Sequence, residues 1–194
     1  MKAHILLLPL LAACASTPDG PHPLPWSDVS MPDVPVSLAP FDVVHVNWKQ
    51  RLAEPYIYLD HVGDYRRAGA RISELLEEAT AQGAPLRGAP FVLFFDDPGS
   101  TPVDQLRARI CVGLGGAFSS MPPLRLDDLP ARNVAYAAVG GAYSDVPRSY
   151  PAIFAYMAER GWTPGTPIRE VYLVSPAAAP ADELVTEVQI PWSY

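Results

Sequence analysis

The sequence predicts an α+β fold made from a duplicated β-α-β-β unit, with a mainly antiparallel sheet, two packed helices and a pseudo-two-fold axis between the copies. Three observations predict it. Sliding the chain on itself by 78 positions, without a gap, pairs Tyr58 with Tyr136, Gly63 with Gly141, Tyr65 with Tyr143 and Gly83 with Gly161. The same shift pairs Pro98 with Pro176, Pro102 with Pro180, Asp104 with Asp182 and Leu106 with Leu184. Second, most of these identities are punctuation residues, whose places are set by backbone geometry. Third, the hydrophobic periods coincide in that register. Ile72, Leu75, Leu76 and Ala79 fall on one helical face, and their partners Tyr150, Ile153, Phe154 and Met157 do the same.

Copy one, about residues 53–114, opens with a strand that ends at Val62-Gly63-Asp64-Tyr65. The amphipathic helix follows, with Gly83 at the position of a C-terminal cap. Two strand-like runs then close the unit, Phe91 to Asp96 and Leu106 to Leu114, joined by a proline-bearing loop. In the second run Leu106, Ala108, Ile110 and Val112 alternate with Arg107, Arg109 and Cys111, the period-2 pattern of a strand with one buried face. Residues 115–130, with Gly115-Gly116 and Pro122-Pro123, join the copies. Copy two, about residues 131–192, repeats the order: a strand to Gly140-Gly141-Ala142-Tyr143, a helix capped by Gly161, then Arg169 to Val174 and Leu184 to Trp192. Pro147 and Pro151 split the start of its helix into a short turn and a main body. The stretch 41–52 reads as a further strand ahead of Tyr56.

The domain over 41–194 is preceded by two other segments. Residues 1–13 have a positive start and a short apolar run, which marks an export signal and not a membrane span. Leu11-Ala12-Ala13-Cys14 resembles the lipobox of bacterial lipoproteins, which implies lipidation at Cys14; an ordinary secretory signal with an incidental cysteine is the other reading. With Ala15 next, the lipoprotein resemblance implies the cell envelope, at the outer membrane facing the periplasm. Seven of the 23 prolines lie in residues 18–40, so the span 14–40 reads as an extended tether from the membrane.

Composition and motifs exclude several chemistries. The 194 residues carry a formal charge of −7, which leaves no basic face to neutralise phosphates and argues against a nucleic-acid partner. No metal site and no cofactor are expected: all four histidines precede residue 62, and the glycines at 113–116 lack the Lys and Ser/Thr of a phosphate loop. Asp96-Asp97 stands directly before Pro98-Gly99-Ser100, where turn initiation outweighs paired-carboxylate chemistry. Cys111 reads as a small buried strand residue.

Three stretches carry a resemblance over about residues 56–192: His61-Val62-Gly63-Asp64-Tyr65, Phe94-Phe95-Asp96-Asp97-Pro98, and Pro167-Ile168-Arg169-Glu170-Val171-Tyr172 followed by Pro176. Their order and double occurrence resemble the GyrI-like family, also called the bacterial transcription-activator effector-binding domain. The resemblance implies a ligand pocket between the copies for amphipathic, cationic or aromatic small molecules. A Glu two residues before a Tyr lies in that pocket, and Glu170 and Tyr172 match those positions. No helix-turn-helix segment is present, so gene regulation does not carry over.

The residues reach Glu170 by another route. Under the shift Glu170 pairs with Val92 and Tyr172 with Phe94, so a carboxylate stands in one copy on a face that is apolar in the other. Such a group needs a partner, and a desolvated carboxylate framed by aromatic rings suits a delocalised organic cation. Two alternatives are an internal Arg such as Arg107 as the partner, and a solvent-facing strand end. Tyr58 and Tyr136 are open to core packing or pocket wall, while Tyr65 and Tyr143 read as structural. The leading function is a membrane-anchored protein that binds a small hydrophobic or cationic molecule through Glu170, Tyr172, Tyr58, Tyr136 and Phe94. One alternative is a hydrolase of electrophilic cyclopropanoid compounds, implied by the family, with Glu170 and Tyr172 activating water; another is an envelope adaptor that docks proteins.

Overall fold

A computed structural model describes residues 32–194; the expected export signal, Cys14 and the first part of the expected tether lie outside the described residues. Its strands are β1 (Val36–Leu38), β2 (Val46–Arg51), β3 (Glu54–Val62), β4 (Leu86–Phe94), β5 (Arg107–Leu114), β6 (Arg125–Leu129), β7 (Arg132–Gly140), β8 (Thr163–Pro164), β9 (Ile168–Tyr172) and β10 (Val185–Ser193). The helices are α1 (Ile72–Ala81) and α2 (Tyr150–Ala158). The sheet runs β1-β7-β10-β9-β4-β5-β3-β6, with β2 also on β7 and β8 also on β10. All pairings are antiparallel except β1 with β7.

The duplication is present element by element. β3 displaced by 78 positions gives the bounds of β7, and α1, β5 and β6 find α2, β10 and β2 in the same way to within a residue or two. Gly63 and Gly141 both take positive φ, +119° and +114°, a conformation that an L side chain resists. Their N–H groups bond the carbonyls of Leu106 and Leu184, themselves partners under the shift. Gly83 and Gly161 share φ +69° past the helix ends. Short 3-10 turns lead into both helices, Tyr143–Ser149 before α2 carrying Pro147 as the sequence predicts.

Three differences from the sequence reading are instructive. The join between the copies holds a strand, β6, the counterpart of β2, and the two are exchanged: β2 pairs with β7 of the other copy and β6 with β3. The tether's last part is built into the sheet, since Val36–Leu38 runs parallel to Ala138–Gly140 and Val34 is buried. In α2 the apolar stripe is narrower than in α1: Ile153 and Met157 are buried, but Phe154 is 37% exposed where its counterpart Leu76 is buried.

Strand exchange also rolls the sheet. β2 lies at one side and β3 near the other, yet only Leu52 and Ala53 connect them, a reach of about 10 Å. The link from β6 to β7 spans the same gap in the opposite sense. Two faces result. The outer face carries α1 and α2 over Leu59, Ile110, Val92, Val188 and Ala137. The inner face is enclosed by the roll, which is why β5, predicted to have one buried face, is buried on both, with Cys111 and Ile110 fully covered.

Candidate functional site

The pseudo-two-fold axis runs between β4 and β9. These strands pair antiparallel with Val92 opposite Glu170, two residues that are also counterparts under the shift. Residues on such an axis face their own images, their Cβ atoms about 5 Å apart. The seam would therefore be apolar on both sides if the copies were alike. Glu170 breaks it.

Its side chain lies on the outer face, beneath the turn that begins α2, and it is 5% exposed. Tyr150, the first residue of α2, donates its Oη to Glu170 Oε1 at 2.5 Å. Tyr172 Oη donates to Oε2 at 3.0 Å. Burial pushes the Glu170 carboxyl above its usual range, and the two phenol hydrogen bonds only partly oppose that. Burial first, and then the Glu170 carboxylate, hold both phenols well above the ordinary tyrosine value. The counterparts of Glu170, Tyr150 and Tyr172 are Val92, Ile72 and Phe94, so one half of an apolar seam has been turned polar at three contiguous places. No cation among the described residues pairs with Glu170.

Around this triad the aromatic walls are doubled by the symmetry. Tyr143 lies against Tyr172 with ring centroids 4.5 Å apart, and Tyr65 against Phe94 at 4.7 Å. Tyr143 Oη donates to the Val174 carbonyl, and Tyr65 Oη to the carbonyls of Asp96 and Arg107. They are structural, as read from sequence. The Arg107 alternative is removed, because Arg107 pairs with Asp96 at 2.7 Å. Asp97 accepts the Gly99 N–H, the turn-initiating role expected of it. Among the described residues no acidic, His or Cys group has the grouping of a metal site.

Of the residues proposed from sequence, Glu170 and Tyr172 are hydrogen-bonded to each other, and Phe94 lies on the same face, two residues along β4 from Val92, the ladder partner of Glu170. Tyr58 and Tyr136 do not lie there, and their assignment to the same pocket wall is corrected: the register places them on the inner face, level with Cys111, Phe91 and Gln189. There they serve as platforms for two ion pairs that the symmetry relates with the charges exchanged. Arg109 bonds Asp127 at 2.6 Å over the Tyr58 ring, and Lys49 bonds Glu187 at 2.9 Å over the Tyr136 ring. Tyr150 was missed by the sequence reading, which placed it in a helical stripe. Its contrast with Ile72 was the available signal.

Two surface grooves are also symmetry counterparts, one of about 580 Å3 beside His45, Val46 and Tyr156, the other of about 350 Å3 beside Pro123, Leu124 and Arg71. Neither includes Glu170, which Tyr150 closes over. Tyr150 is itself half-buried and is the member of the triad that reaches the surface.

Comparison with known proteins bears on this geometry. A family model described as the GyrI-like small molecule binding domain matches residues 46–193. No curated protein matches. Among solved structures, the EcmrR C-terminal domain superposes with a TM-score of 0.70 at 16% identity, over 78% of this chain and 98% of that one. EcmrR in complex with DNA gives 0.69, but the match spans only 57% of that longer chain. SAV2435 bound to tetraphenylphosphonium gives 0.51 at 12% identity, covering 77% and 94% of the two chains. A hydrolase from Listeria innocua gives 0.53 at 12% identity, covering 79% and 95%.

Proposed function

The chain belongs to the GyrI-like small-molecule-binding domain family, and on that premise we propose that it binds a hydrophobic organic cation at Glu170, between the two repeats. One observation carries the reading: a buried carboxylate stands on the symmetry axis, held by two phenols and, among the described residues, by no cation. A charge of this kind is costly in a protein interior. A soft, weakly hydrated cation beside Tyr172 and Phe94 would gain the ion pair and the aromatic faces together. The ligand enters where Tyr150 now sits, and the hydroxyl leaves Oε1 as the cation arrives. That SAV2435 is solved with tetraphenylphosphonium supports the ligand class.

Charge, more than shape, is the test. Titrated into the protein, tetraphenylphosphonium should bind at least about tenfold more tightly than triphenylphosphine oxide, a neutral molecule with similar rings. Equal affinities would remove the role given to Glu170.

A hydrolase is the second reading, favoured by the raised Glu170 carboxyl and its short bond to Tyr150, a pairing suited to a general base. Turnover of an electrophilic cyclopropanoid substrate that disappears in Glu170→Gln would select it.

We also propose that the domain works at the cell envelope, attached through a lipidated Cys14. The support is Leu11-Ala12-Ala13-Cys14 after a short apolar run. Cys14→Ser should move the protein from the membrane fraction to the soluble fraction and abolish labelling by a palmitate analogue. Unchanged labelling would reject the anchor.

A further inference from the structure

On the inner face of the rolled sheet, in the same cross-strand row as Tyr136 and Arg109, lies a second break in the symmetry. Arg169 of β9 stands where copy one has Phe91, and its guanidinium stacks on that very ring at 3.8 Å. Arg51, the last residue of β2, has Leu129, the last residue of β6, as its counterpart under the shift. Both arginines are 7% exposed, and both point inward at the end where the two sides of the sheet approach each other.

Their donors are incompletely used. Arg169 Nη2 meets Glu54 Oε1 at 2.6 Å, and its Nη1 reaches Gln189 only at 3.5 Å; its Nε is buried without a partner. Arg51 gives Nη2 to the Pro130 carbonyl at 2.9 Å, while its Nε and Nη1 are buried without partners. Glu54 thus stands against two buried guanidinium groups, and Arg132, opposite Arg51 in the ladder, adds a third positive charge at the rim. The nearby Glu187 is already engaged by Lys49 and Gln189. Burial and the repulsion of Arg169 bring the Arg51 guanidinium down to about 10. A buried guanidinium with two idle donors costs free energy unless something accepts from it.

We propose that Arg51 and Arg169 form an oxyanion site, holding one carboxylate or phosphate-type group between their idle N–H donors. The planar fork of arginine suits either oxyanion. Access is beside Glu54, whose side chain is 35% exposed. The site lies on the opposite face from Glu170 and does not depend on the cation reading.

The test is thermal unfolding of the protein in Bis-Tris chloride, with inorganic phosphate in one titration and acetate in another. Sodium chloride at equal ionic strength is the reference. An oxyanion should raise the midpoint saturably by roughly 5 °C more than chloride does, and which of the two salts does so identifies the group. Arg51→Met leaves the Arg169–Glu54 pair intact; it should abolish the rise and, in chloride alone, unfold no lower than wild type. Should Arg51→Met fail to fold, Glu54→Gln, which removes the competing carboxylate, should lower the half-saturating concentration about tenfold. A wild-type response no greater than chloride's, an Arg51→Met protein that responds like wild type, or a Glu54→Gln protein with an unchanged response would overturn the site.

Discussion

Glu170→Gln should weaken tetraphenylphosphonium binding by about 100-fold while leaving triphenylphosphine oxide unaffected. Removing one member of a desolvated charge pair typically costs about 2–5 kcal/mol, and each ~1.4 kcal/mol is tenfold. Gln keeps an acceptor for Tyr150 or Tyr172, so the packing that closes the seam is little altered. Calorimetric titration of both ligands against both proteins separates charge from shape. Equal losses for the two ligands would mean that the substitution damaged the fold and not the charge.

The same variant has a second signature in stability. Because burial raises the Glu170 carboxyl above its unfolded value of 4.5, the folded state holds that proton more tightly than the unfolded chain does. Its contribution to stability is therefore fully present below pH 4.5 and is lost as pH rises through the raised folded value. At neutral pH the buried carboxylate is a net cost, and Glu170→Gln should unfold at an equal or higher urea concentration than wild type. At pH 4 that advantage should vanish. A site that gains stability when its central group is neutralised has been kept for binding. If Glu170→Gln were instead destabilised at both pH values with cation affinity intact, the triad would be a structural network.

The fold was legible because turn residues and helix faces recur at one displacement, and geometry enforces that recurrence. Gly63 and Gly141 must adopt the same backbone, so both stayed glycine. Glu170 was legible for the complementary reason: its counterpart Val92 marks an apolar face, and a carboxylate departs from it. The exchange of β2 and β6 was not legible, since a strand's pattern shows that one face is buried but not which neighbour it joins. That exchange misled the reading of Tyr58 and Tyr136. Their parity along the strand is opposite to that of Glu170, yet only the register across β5, β4 and β9 reveals it. Once the sheet is rolled, Tyr58 and Tyr136 on the inner face are as buried as Tyr172 on the outer one, and burial alone cannot distinguish them.

The inner face makes its own strong demand at Glu54. Breaking a buried ion pair by removing one partner leaves the other charge uncompensated, at a typical cost of about 3–5 kcal/mol. Glu54 itself is partly exposed, which screens the pair and lowers the expectation for Glu54→Gln to about 2–3 kcal/mol in chloride buffer. The loss arises at Arg169, which has Phe91 beneath it and a poor bond to Gln189 as its remaining support. The counterpart of Glu54 is Arg132, so copy two offers no carboxylate at the matching place to take over. Urea unfolding in chloride would measure the loss, and a loss below about 0.5 kcal/mol would show that the pair contributes no more than an exposed one. Repeating the measurement in saturating phosphate distinguishes the causes. If uncompensated charge is responsible, an oxyanion between Arg51 and Arg169 replaces the missing carboxylate and restores most of the stability, whereas a packing defect would remain in either salt.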